Sequence, residues 1–214
     1  MRLRNVPGSE DFIAKSPYVC TEPNKYQGKW NSYFGNDNPV HIEIGMGKGQ
    51  FITEMARLNP DVNYIGIEMY SSVMHRAVKK LEQMTVRFNN LALLCMDARR
   101  LSDVFANDEV MRIYLNFSDP WPKARHARRR ITSRNFLAIY DNILDKDGHI
   151  EFKTDNQSLF TFSLEELEAA GWRTGAVSHD LHNDVMMCSG NVMTEYEEKF
   201  SALGNLIYKY VICR

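Results

Sequence analysis

The sequence predicts an α/β protein built on a mostly parallel sheet. Two observations carry this. Short apolar runs of strand composition alternate with segments of helical spacing along most of the chain. Helices of that length between strands act as crossovers, which implies parallel pairing and right-handed connections. The carboxyl ends of the strand-like runs also carry glycines and acids, and in such sheets ligands bind beyond those ends.

In chain order, residues 1–38 are polar, carry Pro7, Pro17 and Pro23, and read as an extension with one short helix around Lys25 to Phe34. Val40 to Ile44 is a first strand, running into Gly45-Met46-Gly47-Lys48-Gly49. Gln50 to Leu58 has helical spacing through Phe51, Ile52, Met55 and Leu58. After the turn Asn59-Pro60-Asp61, Asn63 to Glu68 is a second strand, and Ser71 to Met84 a second helix capped by Ser71 or Ser72. Leu91 to Met96 and Arg112 to Phe117 are the third and fourth strands. Thr132 to Leu144 is a helix ended by Asp147-Gly148; His149 to Thr154 is a fifth strand. Ser158 to Ala170 is a helix stopped by Gly171, and Arg173 to His179 with Leu206 to Ile212 suggest a closing hairpin.

A length of 214 residues with 44% hydrophobic content favours one domain with a large core. We expect an N-terminal arm over 1–38 and a single domain over 39–214. Net charge is −1, so any basic surface is local. The arm's cations, Arg2, Arg4, Lys15, Lys25 and Lys29, read as a solvated extension before they read as a polyanion contact. Cys20, Cys95, Cys188 and Cys213 make no CxxC or zinc spacing, and read as reduced thiols of a cytoplasmic protein. No metal site is expected. No apolar run reaches the length of a membrane span, and the N-terminus lacks the apolar core of a signal peptide.

The strand ends form a chemical series: Glu43 and the glycine loop, Glu68, Asp97, Asp119 and Asp155. Gly45, Gly47 and Gly49 let a ligand approach the backbone. Glu68 follows the loop by about 20 residues, where an acid accepts from a ribose diol. The loop is G-x-G-x-G, which is neither the dinucleotide fingerprint nor a Walker loop. Glu43, two residues before Gly45, would repel a pyrophosphate but suits an ammonium group. S-adenosylmethionine carries an ammonium, a sulfonium, a ribose diol and an adenine. Glu43, Glu68 and Asp97 would supply acceptors for its methionine end, its ribose and its adenine amine.

Asp119-Pro120-Trp121-Pro122 stops the fourth strand, since each proline removes an amide donor and holds its own φ. Lys123, Arg125, His126, Arg128, Arg129 and Arg130 follow at once. A carboxylate and an aromatic ring on a stiff turn, ahead of a run of cations, suggest a site that holds a base and grips its phosphates. Trp121 is either a plug that holds the loop or a stacking platform. His126, among arginines, reads as a phosphate or solvent contact.

GMGKG, NYIGIE, LNFSDPWPKARHARRR, FKTDN and NVMTEYEEKF together resemble the bacterial tRNA (guanine-N7-)-methyltransferases, the TrmB family, over nearly the whole chain. The resemblance implies a class I S-adenosylmethionine-dependent methyltransferase (Rossmann-like) fold: a mostly parallel seven-stranded sheet with helices on both faces and a C-terminal antiparallel strand. It implies formation of 7-methylguanosine at position 46 of the tRNA variable loop. By matching motifs, Glu43, Gly45, Gly47, Gly49, Glu68, Asp97 and Asp119 would bind the cofactor, and Asp119 would also be catalytic. Lys123, Asp155, Thr194, Glu195, Tyr196 and Glu197 would meet the substrate, and Arg125, His126, Arg128, Arg129 and Arg130 the RNA. Thr194 with Glu197 also reads as a plain helix capping box.

Guanine N7 is an in-plane lone pair that needs no deprotonation before it attacks a methyl group. The protein's task is then alignment and electrostatics. Guanine N1–H and N2–H₂ are donors that Asp119, Asp155 or Glu197 could accept. Two other readings remain: methylation of another RNA base or of protein, and a non-catalytic RNA-binding module that keeps this fold. The partner expected is tRNA, with no membrane, and the chain a monomer or homodimer.

Overall fold

The structure, a computed structural model, describes residues 6–214. Arg2 and Arg4, two of the arm's cations, lie outside the described residues. The chain forms two compact units, Met1–Ala106 and Asn107–Arg214.

In the first unit, strands β1 (Val40–Ile44), β2 (Asn63–Glu68) and β3 (Leu91–Cys95) alternate with helices α3 (Gln50–Leu58) and α4 (Ser71–Gln83). β1 pairs in parallel with β2, Val40 opposite Asn63, and β2 with β3, Tyr64 opposite Leu91. Every residue of β1 and β2 is buried. Parallel strands covered on both faces read as continuous apolar runs, which is why these segments do not alternate.

Helix α4 begins at Ser71, but neither serine caps it: the N-cap is Tyr70 and no side chain caps the turn. Ser71 Oγ instead lies 2.9 Å from Ser9 Oγ, on the short helix α1 (Ser9–Ile13). Phe12 of α1 stacks on His75 of α4 with centroids 4.2 Å apart. The helix expected around Lys25 to Phe34 is split into a 3₁₀ turn, Pro23–Tyr26, and α2 (Trp30–Phe34). Trp30 is 1% exposed, and its indole N–H donates to the Val104 carbonyl at 2.9 Å. Tyr18 to Cys20 bonds along Leu93 of β3: Leu93 N–H to Tyr18 O at 2.7 Å, Cys20 N–H to Leu93 O at 3.0 Å. Residues 6–38 are thus packed down by Ile13, Tyr18, Cys20 and Trp30, while Lys15, Lys25 and Lys29 stay exposed. The solvated extension expected from composition holds for those lysines, not for the backbone that carries them.

The second unit holds β4 (Val110–Asn116), α5 (Arg134–Ile143), β5 (Leu144–Thr154), α6 (Gln157–Ala170), β6 (Arg173–Ser178), the short α7 (Val185–Cys188), α8 (Glu195–Ser201) and β7 (Tyr208–Cys213). β4 and β5 are parallel; β7 runs antiparallel to β5 and β6. Helix α5 starts two residues later than expected, because Thr132 is fully buried with its hydroxyl bonded to Ser163 at 2.8 Å. Asp147-Gly148 does not end a helix. Leu144 already pairs with Val110 and His149 with Arg112, so the intervening residues loop out within β5. Helix α6 carries the expected stop, Gly171 in the left-handed region behind it, and starts one residue earlier than expected, with Asn156 as N-cap on the Leu159 amide.

In sheet order the strands run β3-β2-β1-β4-β5-β7-β6, a seven-stranded, mostly parallel sheet of the class I methyltransferase architecture. Among the described residues no helix is long and apolar enough to cross a membrane.

Candidate active site

In the first unit, the glycine loop leaves β1 with Gly45 and Met46 both donating to the Ile67 carbonyl, at 2.8 and 3.0 Å. Gly45, Gly47 and Gly49 have φ of 77°, 57° and 75°, a region that favours glycine. Nothing lies within 4 Å of where a Cβ would stand on Gly45 or Gly47. The loop is therefore bare backbone facing open space, where a ligand can come up against the chain. Its floor is Met46, 5% exposed. A Cβ on Gly66 of β2 would run into the Met46 sulfur, so the absent side chain there makes room for the thioether.

Glu68, 7% exposed at the end of β2, faces that loop. Oε2 accepts from the Gly47 amide at 3.2 Å and Oε1 from the Tyr70 amide at 3.0 Å. Two backbone donors aim the carboxylate at the loop. Glu43 is buried at 2% on β1. Asp97 follows β3 and caps the 3₁₀ turn Ala98–Asp103 by accepting from the Arg99 amide at 2.9 Å. The Arg99 guanidinium grips the same carboxylate and holds its pKa below the ordinary value. Arg99 is itself 74% exposed, so it restrains Asp97 without burying it. This open glycine backbone with three aimed or buried acids fits a cationic nucleoside cofactor of the S-adenosylmethionine type.

In the second unit, Asp119 sits exposed beyond β4, in a turn whose backbone is strained. Phe117 has φ 50° and Trp121 φ 41°. Aromatic side chains rarely occupy that region, and a residue before proline is normally extended. Strain of this kind persists where the surroundings impose it and collects at functional sites. The next residues, Ala124–Arg129, form a 3₁₀ turn that presents Lys123, Arg125 and Arg128 to solvent. His126 packs its ring edge on Trp121, centroids 5.7 Å apart, and the Arg129 guanidinium lies 5.0 Å from the Trp121 centroid. Trp121 is thus a partly covered ring inside the basic turn.

Asp155, half-buried after β5, accepts at Oδ2 from the Tyr196 hydroxyl at 3.3 Å and from Asn205 Nδ2 at 3.1 Å. Burial, then the Asp155 carboxylate, raises the Tyr196 pKa, so the phenol stays a donor. Phe117, Tyr196 and Phe200 form an aromatic row, with centroids 5.1 and 4.1 Å apart. Thr194 caps α8 by accepting from the Glu197 amide at 3.0 Å.

The reciprocal half of that capping box is absent, because Glu197 turns inward. It is 0% exposed and pairs with Lys153, 3% exposed, at 2.6 Å. Lys153 also donates to Asn191 Oδ1 at 3.1 Å and to the Val192 carbonyl at 2.9 Å. Asn191 Nδ2 reaches the other Glu197 oxygen at 2.8 Å, and His182 lies 3.3 Å from it. Desolvation pulls the Lys153 pKa down, and the Glu197 charge opposes it. The pair ties the 191–197 segment to β5, which positions Tyr196 beside Asp155. Lys153, Asn191, Asn205 and Phe117 are not apparent as site residues from motif spacing. A lysine within the fifth strand names no partner. Among the described residues no group of three or more His, Cys, Asp or Glu is arranged to hold a metal.

A family model described as "Putative methyltransferase" matches residues 37–210. A tRNA (guanine-N(7)-)-methyltransferase of Lachnoclostridium phytofermentans is 56% identical over 214 residues, covering 100% of this chain and 99% of the relative. That of Bacillus subtilis is 52% identical over 210 residues, covering 98% of this chain and 97% of the relative. Among solved structures, an antibiotic-related methyltransferase superposes with TM-score 0.63 at 18% identity, covering 86% of this chain and 92% of its own. A SAM-dependent methyltransferase from Aquifex aeolicus gives 0.56 at 12%, covering 97% of this chain and 93% of its own. The two structures share the fold; the sequence relatives match over nearly their whole length, and the chain belongs to the tRNA (guanine-N(7)-)-methyltransferase family.

Proposed function

We propose that this protein transfers the methyl group of S-adenosylmethionine to N7 of guanosine in tRNA, at position 46 of the variable loop. The observation that carries the reading is the strained Asp119 turn directly ahead of an exposed basic run, in a chain whose first unit carries the acid-lined glycine loop. The full-length similarity to enzymes named for this reaction supports it.

When bound, the cofactor supplies an electrophilic methyl group on a sulfonium centre. Glu43 would accept from its ammonium, Glu68 from its ribose diol, and Asp97 from its adenine amine. Gly45, Gly47 and Gly49 would let it lie against backbone. Guanine N7 attacks without losing a proton, so no general base is required. What the base requires is a fixed orientation and an anion near the ring as it becomes positive. Asp119 would supply that charge, and Asp155 would accept from N1–H and N2–H₂. Tyr196 and Asn205, now on Asp155, are donors that guanine's own donors could replace. Thr194, Glu195 and Glu197 would hold Tyr196 in place, Glu197 through Lys153 and not by touching the base. Lys123, Arg125 and Arg128 would meet phosphates.

We further propose that residues 39–214 act as one methyltransferase domain with the arm flanking it, as the extent of the family match supports. Four free cysteines and a tRNA substrate support a cytoplasmic site of action for a monomer or homodimer.

The test uses undermethylated total tRNA, purified protein and methyl-labelled S-adenosylmethionine, with the RNA digested to nucleosides. Label in 7-methylguanosine is expected. Label in another nucleoside would keep the cofactor and overturn the base assignment. No label, with a Tm raised by the cofactor, would leave an RNA-binding or protein-modifying module.

A further inference from the structure

We infer that Arg130 is a positioning residue for the Asp119 turn, and not one of the cations that meet RNA phosphates; the inference rests on the reading above. Arg130 sits last in the basic run, and spacing alone groups it with its neighbours. Its contacts separate it. Nε donates to the Pro120 carbonyl at 3.0 Å and Nη2 to the Trp121 carbonyl at 3.1 Å. These are the two carbonyls immediately after Asp119. One planar fork therefore spans consecutive peptide units of the turn, a match of guanidinium geometry that an ammonium cannot copy.

The other face of the guanidinium rests on α6, its carbon 4.1 Å from the Phe162 ring centroid. Glu166, one helical turn further on, feels the Arg130 charge, after the larger effect of Arg134. Arg130 is half-buried where Arg125, Arg128 and Arg129 are exposed. Its own backbone is tied on both sides, its amide to the Ala127 carbonyl at 3.1 Å and its carbonyl to the Ser133 amide at 3.0 Å.

The turn needs such a clamp. Phe117 and Trp121 both sit at positive φ, and Trp121 precedes a proline. A backbone so disfavoured relaxes unless something holds its carbonyls. The clamp sets the direction in which Asp119 leaves the turn, and misplacing a catalytic group by about 1 Å is enough to cost about 100-fold in rate. The basic run is thus two devices in one stretch: exposed Arg125 and Arg128 for phosphates, and Arg130 as the brace of the catalytic turn.

The test compares Arg130→Lys and Arg130→Gln with Arg128→Gln. Measured are kcat for 7-methylguanosine formation, tRNA Kd across a KCl series, Tm, and amide exchange of Trp121 and Lys123. Arg130→Lys keeps the charge and loses the fork. Both Arg130 variants are expected to lower kcat about 10- to 100-fold and to speed exchange at the turn, with the salt slope of tRNA binding unchanged. Arg128→Gln is expected to reduce that slope by about one. Wild-type kcat in Arg130→Lys, or a slope reduced by about one in Arg130→Gln, would make Arg130 a phosphate contact and overturn the inference. Should Arg130→Gln melt far below wild type, Arg130→Lys decides. If the wild-type protein makes no 7-methylguanosine, the functional reading fails by itself. The exchange measurement still decides the clamp, and unchanged exchange in Arg130→Lys refutes it.

Discussion

Lys153→Met removes the cation from the pair that ties α8 to β5. The two side chains are 4% and 0% exposed and 2.6 Å apart. Breaking a buried pair from one side costs about 3–5 kcal/mol, because the remaining charge stays in a poorly solvating place. Glu197 keeps Asn191 at 2.8 Å and His182 at 3.3 Å, which argues for the lower end. At about 2–4 °C per kcal/mol for a chain of this size, a loss of about 3 kcal/mol is a Tm lower by about 6–12 °C at pH 8. Scanning fluorimetry reads it directly. A deficit under about 3 °C would refute the argument. The double variant Lys153→Met/Glu197→Gln should recover at least half of the loss, since no unpaired charge then remains.

Asp119→Asn keeps the shape of the turn and removes the anion; kcat for 7-methylguanosine should fall by about 10²-fold or more, and full kcat with guanosine specificity intact would end its catalytic assignment. Glu68→Gln replaces one acceptor oxygen with a donor that opposes the Gly47 or Tyr70 amide. Calorimetry should find S-adenosylmethionine bound about 10- to 100-fold more weakly, with tRNA Kd unmoved. Arg125→Ala combined with Arg128→Ala should raise KM for tRNA and flatten the salt slope by about two, while the Tm shift produced by the cofactor persists; loss of that shift would contradict the division between the two halves of the chain.

What was legible in the sequence is what is encoded locally. Glu43 precedes the glycine loop by two residues, and Glu68 marks the end of the next strand, so both could be placed by counting. Gly171 stops α6 as expected because such a cap is chemistry of adjacent residues. The Asp119 turn announces itself through its prolines. Long-range partners were not legible. Glu197 and Lys153 lie 44 positions apart, and the motif around Glu197 equally suits a helix cap. The same limit hid Arg130, whose neighbours in sequence are phosphate-type cations but whose neighbours in space are carbonyls and a phenyl ring. It also hid the missing cap of α4, where Ser71 serves α1 and leaves its own helix uncapped.

The pairing of Tyr18 to Cys20 along Leu93 also bears on handling of the protein. β3 is the outermost strand on its side of the sheet, and its sequence, Leu-Ala-Leu-Leu-Cys, is wholly apolar. A bare strand of that kind invites another chain to add to it. The segment Tyr18 to Cys20 therefore acts as an edge guard. A shortened protein lacking it should first betray the loss as turbidity on concentration, before any assay of methyl transfer is run.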